Sequence, residues 1–239
     1  MDLLERLAAD PSRAAIVLDV DGTLAPIVMR PEDARVPETT RAELERLASR
    51  YALLAFLSGR TGEDARRIVG VDGARYVGVH GLELVPEAER WREPLRQLAG
   101  QAAWPPERTE DKGLSVAFHY RGLVDEDAAR ERLEELAAVA REAGLEPLFE
   151  RKVLEVRPPV AADKGIAIVH LVEEAGAERA LYAGDDTTDV DAFRGLGEAN
   201  LEVAVRVAVA SAEGPRELRE AADVVVTSPQ ELVGLLHQL

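Results

Sequence analysis

Residues Ala14–Leu18 read AAIVL, five apolar residues in a row, and the chain then turns polar at Asp19-Val20-Asp21-Gly22-Thr23. A strand with one wet face alternates apolar and polar residues. An unbroken apolar run marks a strand covered on both faces, as in a parallel sheet wrapped by helices. The unit recurs: residues 39–50 have helical spacing with Leu44 and Leu47 on one face, 52–57 form a second apolar run, 62–69 a short helix and 76–79 a third strand. This β-α-β-α-β order predicts an α/β fold with a Rossmann-like, doubly wound parallel sheet.

The period then changes. Across residues 113–120, Leu114, Val116, Phe118 and Tyr120 alternate with Ser115, Ala117 and His119, the pattern of a sheet covered on one face. Residues 125–143 predict an amphipathic helix with Leu133, Leu136 and Ala140 inward and Gly144 as its stop. Residues 148–156 suit two short strands. A smaller α+β unit over 83–158 is therefore expected, inserted into a core made of 1–82 and 159–239. The core alternation resumes with helices at 164–174, 189–194, 215–221 and 229–239, and strands at 180–183, 203–209 and 224–226.

Charge and composition narrow the partners. The net charge of −16 opposes nucleic-acid backbones and anionic membranes. An anionic substrate would need a local positive site, including a metal ion. The chain has no cysteine, which removes disulfides, thiol chemistry and thiolate metal sites. The start MDLLERLAAD is too acidic for a secretory signal, and no apolar run is long enough to span a bilayer. A cytoplasmic protein is expected, with a monomer favoured.

The chemistry-bearing residues gather after apolar runs, where ligands bind in open parallel sheets. Asp19 and Asp21 can face one pocket, with Gly22 allowing the chain to leave the strand sharply and Thr23 offering a hydroxyl. Of two such carboxylates, one can attack phosphorus while the other protonates the leaving oxygen and then activates water. Their mutual repulsion invites a divalent cation. Ser58-Gly59-Arg60 ends the second strand; its hydroxyl, turn amides and guanidinium can hold phosphate oxygens. Lys164 opens a helix and can neutralise phosphate and nucleophile. Gly184-Asp185-Asp186-Thr187-Thr188-Asp189 follows another apolar strand, and its three acidic groups suit Mg2+.

In this order, the four motifs resemble those of the haloacid dehalogenase-like phosphatases: Asp19-x-Asp21-Gly22-Thr23, Ser58, Lys164, and Gly184-Asp185-Asp186-x-x-Asp189. The resemblance implies Asp19 as nucleophile, Asp21 as general acid and base, and Ser58 and Lys164 as phosphate holders, with Gly22, Thr23, Gly59 and Arg60 completing the phosphate-binding set. It implies Mg2+ held by Asp19, the Asp21 carbonyl and Asp185, supported by Asp186 or Asp189. The insert resembles the cap of one branch of this superfamily.

Within it, the chain is most similar to trehalose-6-phosphate phosphatases. The shared segments are residues 19–27, Ser58-Gly59-Arg60, His80-Gly81, LSVAFHYR at 114–121, VLEVRP at 153–158 and GDDTTDVDAF at 184–193. That resemblance implies sugar contacts from Glu110, Lys112 and Glu155 of the cap. Val190 departs, since the family usually carries Glu there. His80 and His119 read as structural. The expected activity is Mg2+-dependent hydrolysis of trehalose 6-phosphate through an aspartyl-phosphate. The alternatives are a phosphatase or mutase for another sugar phosphate, of the sucrose phosphate or mannosyl phosphate type, or a catalytically silent regulatory domain.

Overall fold

A computed structural model describes residues 2–28, 33–150, 152–210 and 214–239. The elements begin with α1 (Leu3–Ala8), β1 (Ala14–Leu18), α2 (Glu38–Arg50), β2 (Leu53–Leu57), α3 (Gly62–Val69) and β3 (Arg75–Val77). Then come α4 (Arg92–Gln101), β4 (Thr109–Asp111), β5 (Val116–His119), α5 (Glu126–Glu142), β6 (Glu146–Glu150) and β7 (Val153–Arg157). The chain closes with α6 (Lys164–Glu174), β8 (Arg179–Gly184), α7 (Thr187–Glu198), β9 (Val203–Val209), α8 (Arg216–Ala221), β10 (Val224–Val226) and α9 (Pro229–Leu236). It divides into two compact units, one of Met1–Leu84 with Ala162–Leu239 and one of Val85–Ala161.

The first unit holds a six-stranded parallel sheet in the order β10-β9-β8-β1-β2-β3. Its β1 explains the unbroken apolar run. Ala14, Ile16 and Leu18 face one core with Leu44 and Leu47 of α2, Ile68 of α3 and Leu232 of α9. Ala15 and Val17 face the other core, with Ile168 and Leu171 of α6 and Phe193 of α7. A polar side chain at any of these positions would be stranded without water. Strand order reverses between β1 and β8, so the carboxyl ends of these two strands form the crevice of a doubly wound sheet.

The second unit is an antiparallel sheet in the order β4-β5-β7-β6. Val116, Phe118, Leu154 and Val156 bury one face against Leu95 of α4 and Leu133, Ala137 and Ala140 of α5. By strand alternation, Glu110, Ser115, Ala117 and Glu155 occupy the opposite face. The register sets Glu110 opposite Ala117, and Ala117 opposite Glu155. This α/β fold with a small antiparallel sheet matches the architecture expected from the hydrophobic periods.

Several boundaries shift for identifiable reasons. The alternating segment pairs only from Val116, because Gly113 has φ of +76° and Lys112 N donates to the Ser115 carbonyl, closing a turn. The third strand stops at Val77, where Val79 leaves with positive φ. The helix expected from 189 begins at Thr187, because the Asp186 side chain caps it. Among the described residues, no helix is long and apolar enough to cross a membrane.

Candidate active site

Asp19 leaves the end of β1 with its N–H bonded to the Ala183 carbonyl of β8 at 2.9 Å, so the backbone ladder continues into the site. Gly22 follows with φ of +79°, and a Cβ there would overlap the Asp185 carboxylate. Only glycine gives both the left-handed turn and that close approach. Thr23, fully buried, donates its hydroxyl to Asp185 Oδ1 at 3.1 Å. The two motifs are thus joined although 162 positions separate them.

Lys164 is the first residue of α6, whose N-cap Asp163 accepts from Ile166 N. A cation is ordinarily unfavourable at a helix N-terminus. Carboxylates compensate: the buried Nζ donates to Asp19 Oδ1 at 2.7 Å and to Asp189 Oδ1 at 2.6 Å. Asp189, in the first turn of α7, is fully buried and saturated. Its Oδ1 also accepts from the Tyr182 hydroxyl at 2.6 Å, and its Oδ2 accepts the N–H groups of Asp185 and Asp186 at 2.8 Å each.

Burial drives the titration here. It pushes Asp19 up to about 7, against the attraction of Lys164 and with further repulsion from Asp189. Burial likewise pushes Asp185 up to about 8, with Asp19 and Asp189 adding to it. Asp189 is also desolvated, yet Lys164 and its hydrogen bonds hold it below the ordinary carboxylate range. Burial disfavours the Lys164 ammonium, but Asp189 and Asp19 outweigh this and raise its pKa. The Tyr182 phenol, buried beside carboxylates, is raised well above its usual value.

Asp19, Asp185 and Asp189 each place one carboxylate oxygen within 4.8 Å of the others. Three carboxylates face one ammonium, leaving two unbalanced negative charges when all are ionised. All-oxygen donors with that surplus fit a divalent cation of the Mg2+ type. Asp186 is a different case: it is exposed, and its carboxylate caps α7 by accepting from Thr187 N at 2.7 Å.

Asp21 points to another partner. Arg60 grips it as a fork, with Nε to Oδ2 at 2.6 Å and Nη2 to Oδ1 at 2.8 Å. Ser58 is buried and its Oγ accepts Arg60 N at 3.1 Å. The start of α3 is also taken: Thr61 caps it through Asp64 N, and Gly62 N donates to Glu83.

The second unit gathers the remaining expected residues. Lys112 Nζ lies 3.4 Å from Glu155 Oε1 and 3.9 Å from Glu110 Oε2. Ser115 donates to Glu155 Oε1 at 2.8 Å, and the His119 ring meets Glu110 Oε2 at 3.3 Å. Glu155 is only 3% exposed. Sequence reasoning passed over Tyr182, Ser115 and the contact of His119. Tyr182 left a signal, since a phenol in a strand buried on both faces needs a hydrogen-bond partner. Nothing in the spacing indicates the His119 contact.

A doubly wound sheet with Asp-x-Asp-Gly-Thr after its first strand, and with Lys164 joined to the carboxylates after β8, defines a haloacid dehalogenase-like hydrolase. A hydrolase of that class from Bacteroides thetaiotaomicron superposes with TM-score 0.61 over 94% of this chain and 98% of its own, at 16% identity, a likeness of fold alone. The trehalose-phosphatase family model matches residues 17–226, and the chain belongs to that family. A trehalose-phosphate phosphatase of Mycobacterium marinum (strain ATCC BAA-535 / M) is 35% identical over 219 residues, 81% of this chain and 54% of that protein. The crystal structure of a trehalose-6-phosphate phosphatase related protein is 26% identical with TM-score 0.68, covering 93% of this chain and 95% of that one. The chain spans about half the length of the curated trehalose-phosphate phosphatases it matches.

Proposed function

We propose that this protein hydrolyses trehalose 6-phosphate to trehalose and inorganic phosphate, with Asp19 as nucleophile and Mg2+ as cofactor. The observation that carries this reading is the Lys164 ammonium held between Asp19 and Asp189 at the sheet's switch point, in a member of the trehalose-phosphatase family. Asp19 and Asp185 would hold the cation, together with the Asp21 carbonyl, with the saturated Asp189 supporting them through its charge. When bound, the cation neutralises phosphate oxygens and the crowded carboxylates.

The residues divide the work as follows. Lys164 and Ser58, with the neighbouring Gly22, Thr23 and Gly59, orient the phosphate, while the Arg60 guanidinium is engaged by Asp21. An Asp19 carboxylate oxygen attacks phosphorus as the bond from phosphorus to the sugar oxygen breaks. Asp21 gives its proton to that oxygen, releasing trehalose and leaving an acyl phosphate on Asp19. Asp21 then takes a proton from water, which attacks phosphorus and frees phosphate and the Asp19 carboxylate. Arg60 fixes the rotamer of Asp21 through both turnovers of that proton. Tyr182 and the two amides at Asp189 keep that carboxylate ionised, so Lys164 stays charged.

The 85–161 unit supplies specificity in this reading. Glu110, Lys112 and Glu155 offer two acceptors and a donor on one face of the antiparallel sheet, a set that pairs with sugar hydroxyls. The test is phosphate release from trehalose 6-phosphate, sucrose phosphate, a mannosyl phosphate and p-nitrophenyl phosphate, each with Mg2+ and with chelator. Trehalose 6-phosphate with Mg2+ is expected to be fastest. A higher kcat/KM for another sugar phosphate would reassign the substrate, and equal rates in chelator would remove the cation.

A further inference from the structure

Residues Val79, His80 and Gly81 have φ of +50°, +53° and +98°, a run of three left-handed residues of which two are not glycine. A β-branched valine in this region is an outlier, and such strain persists only where surrounding structure over-determines it. The surroundings here are the loop that carries Ser58 and Arg60. Ser58 N donates to the Val77 carbonyl at 3.0 Å, Val79 N to the Arg60 carbonyl at 2.7 Å, and His80 N to the Ser58 carbonyl at 3.0 Å. The two segments are zipped backbone to backbone. Gly78 lies so close that a Cβ on it would overlap Gly62 N and the Arg60 carbonyl.

Glu83 closes this clasp. Its Oε1 accepts Gly62 N at 2.9 Å and its Oε2 accepts Gly78 N at 2.8 Å. One carboxylate therefore ties the start of α3 to the strained turn. Gly62 lies at the positive end of a helix, where an anion is favoured. The Arg60 backbone is held between these ties, at its N–H by Ser58 Oγ and at its carbonyl by Val79. Its guanidinium leaves from that fixed base to fork onto Asp21. A fork–fork pair has narrow geometric tolerance, so its alignment depends on where the arginine backbone is anchored.

We propose that Glu83 is a positioning residue for phosphoryl transfer: by clasping Gly62 and Gly78 it sets the backbone from which Arg60 aligns Asp21. The proposal rests on the reading of Asp21 as the proton carrier. Glu83 touches neither Asp19 nor the carboxylates grouped with it in any described contact, so its effect runs through Arg60. His80, on this account, belongs to the clasp and holds the Ser58 carbonyl by its backbone.

Glu83→Gln preserves shape but puts an amide N–H against one of the two backbone donors, so one tie is lost. The loss is expected to lower kcat about tenfold on both trehalose 6-phosphate and p-nitrophenyl phosphate, with KM changed less than about twofold, because the chemical step and not sugar binding is affected. In an Arg60→Ala background the same substitution is expected to lower kcat by less than about twofold, since the route is already cut. An equal tenfold loss in that background would show an effect independent of Arg60 and overturn the proposal. Nuclear magnetic resonance of the Arg60 Nε–H group gives a readout free of turnover. The wild type is expected to show a slowly exchanging signal that Glu83→Gln accelerates or abolishes; an unchanged signal overturns the proposal. A wild type inactive on every phosphate ester would sink the proposed function instead, and the resonance measurement alone then decides on Glu83.

Discussion

Asp185→Asn makes the electrostatics of the three-carboxylate group measurable without any turnover. Asp185 titrates near 8 in the fold, chiefly because burial disfavours its charge, against 3.8 for an ordinary aspartate. The sign follows from proton counting. Between those two values the folded chain binds a proton that the unfolded chain has released, so stability from this group falls as pH rises through that window. Below 3.8 both states are protonated and nothing is lost. At pH 7 the interval above 3.8 corresponds to about 4 kcal/mol at 1.36 kcal/mol per unit. Relaxation and water entry discount a buried charge, so a gain of about 2 kcal/mol is expected when Asn removes the ionisable group. For a domain of this size that is roughly 4–8 °C in Tm. Thermal unfolding in chelator at pH 5, 6, 7 and 8 provides the assay. Asp185→Asn should already exceed the wild type slightly at pH 5, by roughly a third of its pH 7 advantage, and exceed it increasingly towards pH 8. Saturating Mg2+ should reverse the order, because the cation binds only where the charge is kept. A variant less stable than the wild type at pH 8 in chelator, or a pH-independent difference, would refute the reasoning.

Lys112→Ala removes the ammonium between Glu110 and Glu155; kcat/KM for trehalose 6-phosphate should fall about tenfold or more while that for p-nitrophenyl phosphate stays near wild type, and equal losses would take Lys112 out of the specificity site. Tyr182→Phe leaves Asp189 without its hydroxyl donor; a stability loss of about 1–3 kcal/mol by urea unfolding is expected, and an unchanged midpoint would show that the hydroxyl contributes nothing.

The strand-end carboxylates were legible because Asp19 follows the apolar β1 and Asp185 the apolar β8, and strand ends of a parallel sheet converge in space; Lys164, which opens α6, had no such marker. Asp19 and Asp185 could be paired by that rule alone, before any distance was known. The buried partner of the group was only half legible. Both Asp186 and Asp189 fit the motif, and the choice came from helix geometry: a first-turn position on α7 lets Asp189 fold back to receive two backbone amides, while the N-cap position keeps Asp186 at the surface. Arg60 illustrates a harder limit. Its place beside Ser58 suggests phosphate, yet its fork lands on a carboxylate 39 positions earlier, a pairing fixed by packing and invisible to spacing. The short β4, Thr-Glu-Asp, carries no hydrophobic period, and α4 is masked by a proline and scattered charges, so neither was read from the sequence. Their existence follows from the need to pair β5 and cover Leu95 and Leu98. The clasp at Glu83 left its only trace in His80-Gly81, whose positive φ values no propensity argument would assign to Val79 and His80.

Acid-quenching the protein during turnover of trehalose 6-phosphate with Mg2+, followed by peptide mass mapping, addresses the covalent step directly. One phosphoryl group should appear on the peptide containing Asp19, and Asp19→Asn should show neither the adduct nor phosphate release. A phosphoryl group on any other side chain, or near-native turnover by Asp19→Asn, would contradict Asp19 as the nucleophile.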